Sequence, residues 1–219
     1  MKKSGWSFAI KSILTTIWKA FEIKFGKWFV KNKRREHFDI DEMAKHYKIP
    51  FLKSHDINSP ESKAFIRKLN PDYLVSCFLM QIVDKEILSI PKNGAINVHP
   101  ALIQEHRGTF TSFWALLKDW QKSGATVHFM TEKPDNGIVI IQRHFFVHPS
   151  DTIYCVNKKS AQLGANLLVR ALIKIKRDEA IGYIIKKFGH MFKMPTSKDV
   201  KRFYGRGKSI IKIRDFFKI

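Results

Sequence analysis

At 219 residues, with 44% hydrophobic and 27% charged residues, the chain can bury one sizeable core and is not a disordered polymer. Its two cysteines, Cys77 and Cys155, are too few for a disulfide scaffold or a cysteine-based zinc site, which makes a reducing, cytoplasmic setting the default. The formal charge of +21 sits at the ends: residues 1–36 carry ten Lys/Arg against two Glu, residues 170–219 carry fifteen against four Asp/Glu, and the stretch between is nearly balanced.

That distribution predicts a basic segment over 1–37, a globular body over 38–176 and a basic helical tail over 177–219. Residues 6–31 read as an amphipathic helix, with Ile10, Leu14, Trp18, Phe21, Phe25 and Trp28 at helical spacing and Lys24, Lys27 and Lys31 on another face. Such a helix can pack on the body, or lie at a membrane surface with its lysines toward anionic lipid. Nucleic acid is the weaker alternative. Lys11, Lys19, Glu22, Lys24 and Lys27 interrupt the run too often for it to span a bilayer or serve as a signal peptide.

Asp39 to Tyr47 predicts a short helix stopped by Pro50, and a second helix begins at Ser59-Pro60 and runs to about Asn70. Asp72 to Cys77 and Ala95 to His99 read as short buried strands, and Phe110 to Gln121 as a helix. Two more strands follow, Thr126–Met130 and Ile138–Gln142, joined by a turn containing Pro134-Asp135-Asn136-Gly137. A long helix from about Asp151 to Lys176 closes the body. Strands alternating with helices predict an α/β fold with a mostly parallel sheet.

The segment that carries chemistry is Asn97-Val98-His99-Pro100 at the carboxyl end of a strand. Alternation along the strand points Asn97 and His99 to one side and Val98 to the other. Ligands of open α/β sheets bind beyond that end, where an amide and an imidazole side by side can stabilise one developing oxyanion. By itself the pair also fits a structural histidine.

Asn97-Val98-His99-Pro100, followed by Arg107-Gly108, resembles the signature of the folate-dependent formyltransferases. That family includes the glycinamide ribonucleotide, methionyl-tRNA and sugar N-formyltransferases. Thr126-Val127-His128 resembles its T-V-H segment, and Asp135 to Gln142 resembles its D-x-G-x-I-I-x-Q segment, in the expected order and spacing. The resemblance covers roughly residues 40–170. It implies a three-layer sheet fold and transfer of a formyl group from 10-formyltetrahydrofolate to an amine, without a metal. It assigns catalysis to Asn97, His99 and Asp135. Binding contacts are expected from Phe78, Ile82, Arg107, Gly108, Thr126, His128 and Gly137, with the pterin between the 78–85 and 131–137 segments. His106, His144 and His148 match no family motif and are expected to pack or lie on the surface.

Three departures qualify the resemblance. The family's opening strand–turn–helix has no visible counterpart, and residues 1–36 are expected in its place, which alters the amine side of the site. The loop that usually reads S-L-L-P is Ala101-Leu102-Ile103-Gln104 here. The tail, Met194-Pro195-Thr196 through Asp199-Val200 to Phe203, resembles those of sugar-type members. It points to an amino sugar or sugar nucleotide as the amine, with glycinamide ribonucleotide as the alternative. A non-catalytic relative that docks through its basic ends is the rival reading.

Overall fold

The computed structural model describes residues 40–179, 182–185 and 189–216. The amphipathic helix expected over 6–31 lies outside these residues. Contacts divide the chain after His55 into two units. In the first, α1 (Ile40–His46) has Asp41 and Glu42 in its first turn and Lys45 and His46 in its last, the charge order that complements the helix dipole.

The second unit opens with α2 (Pro60–Leu69). Ser59 Oγ accepts from the Ser62 N–H at 3.1 Å, Pro60 pre-sets the first turn, and Asn70 ends the helix in the left-handed region at φ 44°. Then come β1 (Leu74–Cys77), α3 (Lys85–Leu88), β2 (Ala95–His99) and β3 (His106–Gly108). They are followed by α4 (Thr111–Leu117), β4 (Lys122–Phe129), β5 (Val139–Phe146) and α5 (Ile153–Lys176). The chain closes with β6 (His190–Phe192), α6 (Ser197–Gly205) and a 3-10 turn at Ile213–Phe216.

Among the described residues four strands form one sheet in the order β1-β2-β4-β5, and β3 pairs with β6 in a second, two-stranded sheet. The α/β class is as expected, and the described strands include both parallel and antiparallel neighbours. β1 and β2 run parallel, whereas β4 is antiparallel to β2 and β5 antiparallel to β4. For β4 and β5 the physical reason is the short connection, since the turn over 134–137 returns the chain directly from one to the other.

Alternation along β2 sets the layers. Ile96 and Val98 pack with Val127, Ile141, Leu167 and Ala171 beneath α5. Asn97 and His99 face the other way, where Leu74 and Met130 pack with Ile66 of α2 and Ile87 of α3.

The tail expected as a separate basic segment is built into this unit. Phe203 of α6 is 1% exposed and stacks on Phe113 of α4, ring centroids 4.7 Å apart. Thr196 and Asp199 form a reciprocal capping box at the start of α6. Asp215 Oδ2 accepts from Thr152 Oγ1 at 2.7 Å, tying the last turn to the start of α5. Phe203→Ala is expected to cost about 3–5 kcal/mol, read as a lowered midpoint in urea unfolding. A loss under about 1 kcal/mol would mean that the tail is not part of the cooperative core.

Candidate active site

The carboxyl end of β2 opens into a cavity of about 450 Å³, within the usual range for a small-molecule site. Its walls come from residues 76, 78–83, 97–100, 108–111, 128, 130–135 and 191–194. The two segments expected to flank a pterin, 78–85 and 131–137, lie on opposite sides of the sequence signature and both contribute to the walls. Phe78 and Ile82 are 43% and 68% exposed on one of them, apolar surface left uncovered at the mouth. Phe78 also holds a left-handed φ of 56°, an uncommon conformation for a bulky residue, just where the chain leaves β1.

Asn97, His99, His128 and Asp135 meet at the inner end. Sheet register places Asn97 opposite His128 and His99 opposite Thr126. His128 is 2% exposed. Its Nδ1 lies 2.7 Å from the Phe129 carbonyl and must donate, so Nε2, 3.2 Å from Asn97 Nδ2, accepts from the amide. Burial lowers the His128 pKa, in agreement with this neutral tautomer. One N–H of Asn97 is thereby spent on orientation, and the other stays available to the cavity.

His99 is 4% exposed and lies between two acceptors. Nδ1 is 3.3 Å from Asp135 Oδ1 and Nε2 is 3.0 Å from the His106 carbonyl. Both contacts are hydrogen bonds only when the ring carries two protons, as imidazolium. Asp135 is suited to be its counter-ion. Burial pushes the carboxyl upward, but the hydrogen bond and charge of His99, with the Gly108 N–H, outweigh it and hold the pKa below the ordinary value. That N–H donates to Asp135 Oδ2 at 2.7 Å. Asp135 reaches this place through a left-handed turn, φ 51°, which aspartate tolerates better than most residues.

Seven of the ten residues expected at the site therefore line the cavity: Asn97, His99, Asp135, Phe78, Ile82, Gly108 and His128. Three do not, and each has another task. Thr126 is fully buried, and its hydroxyl donates to the Ala101 carbonyl at 2.7 Å. Gln142 supports the same loop by accepting from the Ile103 N–H at 3.1 Å. Thr126 and Gln142 thus hold the departing Ala101–Gln104 loop rather than a ligand. Arg107 turns toward the tail, donating to the Gly189 carbonyl at 3.3 Å. Gly137 permits close passage, because a Cβ there would stand 1.7 Å from the Phe129 carbonyl oxygen.

The sequence reading missed the wall formed by Met191, Phe192, Lys193 and Met194. It arises because β6 pairs with β3, an alignment across more than eighty residues with no local signal. Gly108 makes the approach possible: its φ is 93°, and a Cβ would lie 2.1 Å from the Phe192 carbonyl.

His106 does pack, but next to the chemistry. Its ring stacks on Trp120 and its carbonyl holds His99. Burial lowers its pKa to about 4, opposed by a hydrogen bond with the Glu105 backbone and reinforced, more weakly, by the nearby His99. Between pH 6.5 and 4 the unfolded chain then binds more protons at this position than the folded one, so stability rises with pH. About 3 kcal/mol present above pH 6.5 is expected to be lost on acidification to about pH 4. Urea unfolding at a series of pH values checks this, and His106→Asn should flatten the curve. His144 is an exposed residue beside Phe146, and His148 is bonded to Ser150 at 2.7 Å at the surface.

Comparison with known proteins decides the family. The family model described as Formyl transferase matches residues 26–172, two thirds of the chain. The chain belongs to the formyl transferase family. The match begins at residue 26, ahead of Asp39, where the sequence resemblance was expected to start. Among curated members, methionyl-tRNA formyltransferase of Desulforamulus reducens is 33% identical over 136 residues, covering 62% of this chain and 43% of that protein. The enzyme of the same name from Syntrophus aciditrophicus is 31% identical over 63% of this chain and 44% of its own length. The chain thus spans under half the length of these relatives.

Solved members of the fold include the formyltransferase PseJ from Anoxybacillus kamchatkensis, at TM-score 0.59 and 21% identity over 76% of this chain and 86% of that one. Phosphoribosylglycinamide formyltransferase from Bacillus halodurans aligns at TM-score 0.55 and 21% identity over 66% of this chain and 77% of that one. These likenesses concern the fold.

Proposed function

We propose that the protein transfers a formyl group from 10-formyltetrahydrofolate to the amine of a small substrate, an amino sugar or sugar nucleotide. The observation that carries this reading is the meeting of a free Asn97 N–H, the doubly donating His99 and the ionised Asp135 at the end of a cavity of about 450 Å³.

The cavity fits the donor in chemical character. Phe78 and Ile82 offer apolar surface to a flat ring, and the 131–135 segment supplies backbone polar groups opposite. The bound donor supplies an activated formyl carbonyl. Toward that carbonyl the chain offers Asn97 Nδ2–H as a direct donor for the negative charge that develops on oxygen. His99 contributes positive charge at the same end, and Asp135 keeps that charge in place through Nδ1. A proton from the attacking amine goes to Asp135, the basic member of this pair, since His99 carries two ring protons and has no free lone pair; among the described residues the other ionisable group beside Asn97 is the buried, neutral His128.

The acceptor has two readings. The PseJ structure is described as a complex with UDP-4,6-dideoxy-4-formamido-L-AltNAc and tetrahydrofolate, and its coverage of the present fold supports a sugar-nucleotide amine. The sequence identity to methionyl-tRNA formyltransferases favours an aminoacyl-tRNA amine as the second reading. Mass spectrometry of products formed by the full chain with 10-formyltetrahydrofolate and each acceptor separates them. Formylated sugar nucleotide is expected, formylation of methionyl-tRNA alone would replace the acceptor, and neither product would reject the activity.

No described helix is long and apolar enough to cross a membrane. Peripheral membrane contact through residues 6–31 stays part of this proposal. Co-sedimentation with anionic vesicles at low salt is expected, and an unbound protein would remove it.

A further inference from the structure

A second concavity, of about 530 Å³, lies where the middle of β5 meets the last turns of α5, and it shares no residue with the catalytic cavity. Four cationic side chains line it: Arg143 from β5, Arg170 and Lys174 from α5, and Arg177, which caps the end of α5. The last three follow one another at helical intervals of four and three, a stripe about 10 Å long on one face. All four are exposed, and among the described residues none forms an ion pair with a carboxylate. Some cations elsewhere, among them Lys63, Lys92, Lys159, Arg206 and Lys208, are paired with acids; what distinguishes this groove is that four cations share one concavity. The one carboxylate in the lining, Glu179, leaves an excess of three positive charges.

The plainest alternative is that these cations complement the carboxyl end of the α5 dipole. That effect falls off within the last turn, so it explains Lys174 and Arg177. It does not explain Arg170, nearly two turns back, or Arg143 on a different element. An aromatic ring completes the groove. Tyr183 is 46% exposed, is held by backbone pairing to Val139, and lies close enough for the Arg143 charge to act on its hydroxyl.

We infer that this groove binds the phosphodiester backbone of a single-stranded nucleic acid, with Tyr183 as a stacking surface for a base. A row of cations without a carboxylate partner among the described residues, beside an exposed ring, is what such a strand requires: counterion release from the phosphates and a sequence-tolerant face for a base. The inference is independent of the acceptor and of the catalytic reading.

The test is fluorescence anisotropy of the full chain with a labelled single-stranded RNA of about twelve nucleotides, a length in the range such sites occupy. Four neutralised contacts predict a slope of log affinity against log salt near 2.8 in magnitude from this groove, about a fiftyfold loss between 50 and 200 mM salt. Replacing Arg143, Arg170, Lys174 and Arg177 together by glutamine is expected to weaken binding at least tenfold at low salt and to flatten the slope by about that amount. The charge-retaining variant Arg143→Lys, Arg170→Lys, Arg177→Lys guards against a folding artefact and should keep the slope. Glutamine at Lys45, Lys68, Lys198 and Lys201, four exposed positions outside the groove, should change affinity far less. His99→Gln should bind RNA like the parent, so failure of catalysis and failure of this site are separable.

Absence of RNA binding at low salt would overturn the inference. So would a loss under tenfold in the four-glutamine variant, since the strand would then be held by other basic residues. Groove-dependent binding to anionic vesicles or to inorganic phosphate, without RNA binding, would also overturn it.

Discussion

His99→Gln is expected to lower kcat for formyl transfer by about 10²–10⁴-fold, while the protein stays folded and still binds the folate. Glutamine can offer a donor toward Asp135 or toward the His106 carbonyl, but it carries no positive charge and cannot exchange a proton. The loss should fall on kcat more than on KM, because His99 sits at the inner end of the cavity while the apolar surfaces of Phe78 and Ile82 lie at its mouth. Steady-state kinetics with the formylated acceptor as readout check this. A variant within about fivefold of the parent would remove His99 from the chemistry.

Asp135→Asn should be comparably damaging, about 10²–10³-fold in kcat. The amide can still accept from the Gly108 N–H, which preserves the turn. Its loss of charge removes the carboxylate that faces His99 Nδ1 and leaves the buried ring without an anionic partner there. A merely structural role for Asp135 would predict lost stability with kcat little changed in the folded fraction. The catalytic role predicts the loss of kcat in a protein that stays folded and still binds the folate. In the parent, the carboxylate's contribution to stability is complete above its ordinary pKa near 4 and is lost below it, because its folded pKa is depressed. This acid loss should be smaller in Asp135→Asn.

Much of this arrangement is legible in the chain because its determinants are local. The two-residue period of β2 places Asn97 and His99 on one face and sends Val98 beneath α5, and Ser59-Pro60 fixes the start of α2. The Asp135-Asn136-Gly137 turn is equally local. Motif residues divide less cleanly into those that touch a ligand and those that support them. Thr126 and Gly137 sit in the matched segments, but the hydroxyl of Thr126 anchors a loop and Gly137 makes room for a carbonyl. Backbone demands of this kind leave the same trace in a sequence as binding does.

What the sequence hid was long-range. Pairing of β3 with β6 brings Met191 to Met194 to the cavity, and nothing near residue 190 announces it. The antiparallel pairing of β4 with β2 is likewise a long-range register that the composition of the strand does not carry. His106 lacked a motif match, yet its backbone carbonyl lies 3.0 Å from His99 Nε2 and orients the ring. Main-chain contacts are invisible to any argument made from side-chain identity.

The central claim is that the cavity beyond β2 is assembled for a folate formyl donor. Calorimetric titration of the full chain with a stable 10-formyltetrahydrofolate analogue tests it most directly. The account predicts one saturable site of micromolar affinity, weakened by Ile82→Asp at the cavity mouth and retained in His99→Gln. A folded sample that takes up no analogue would contradict it.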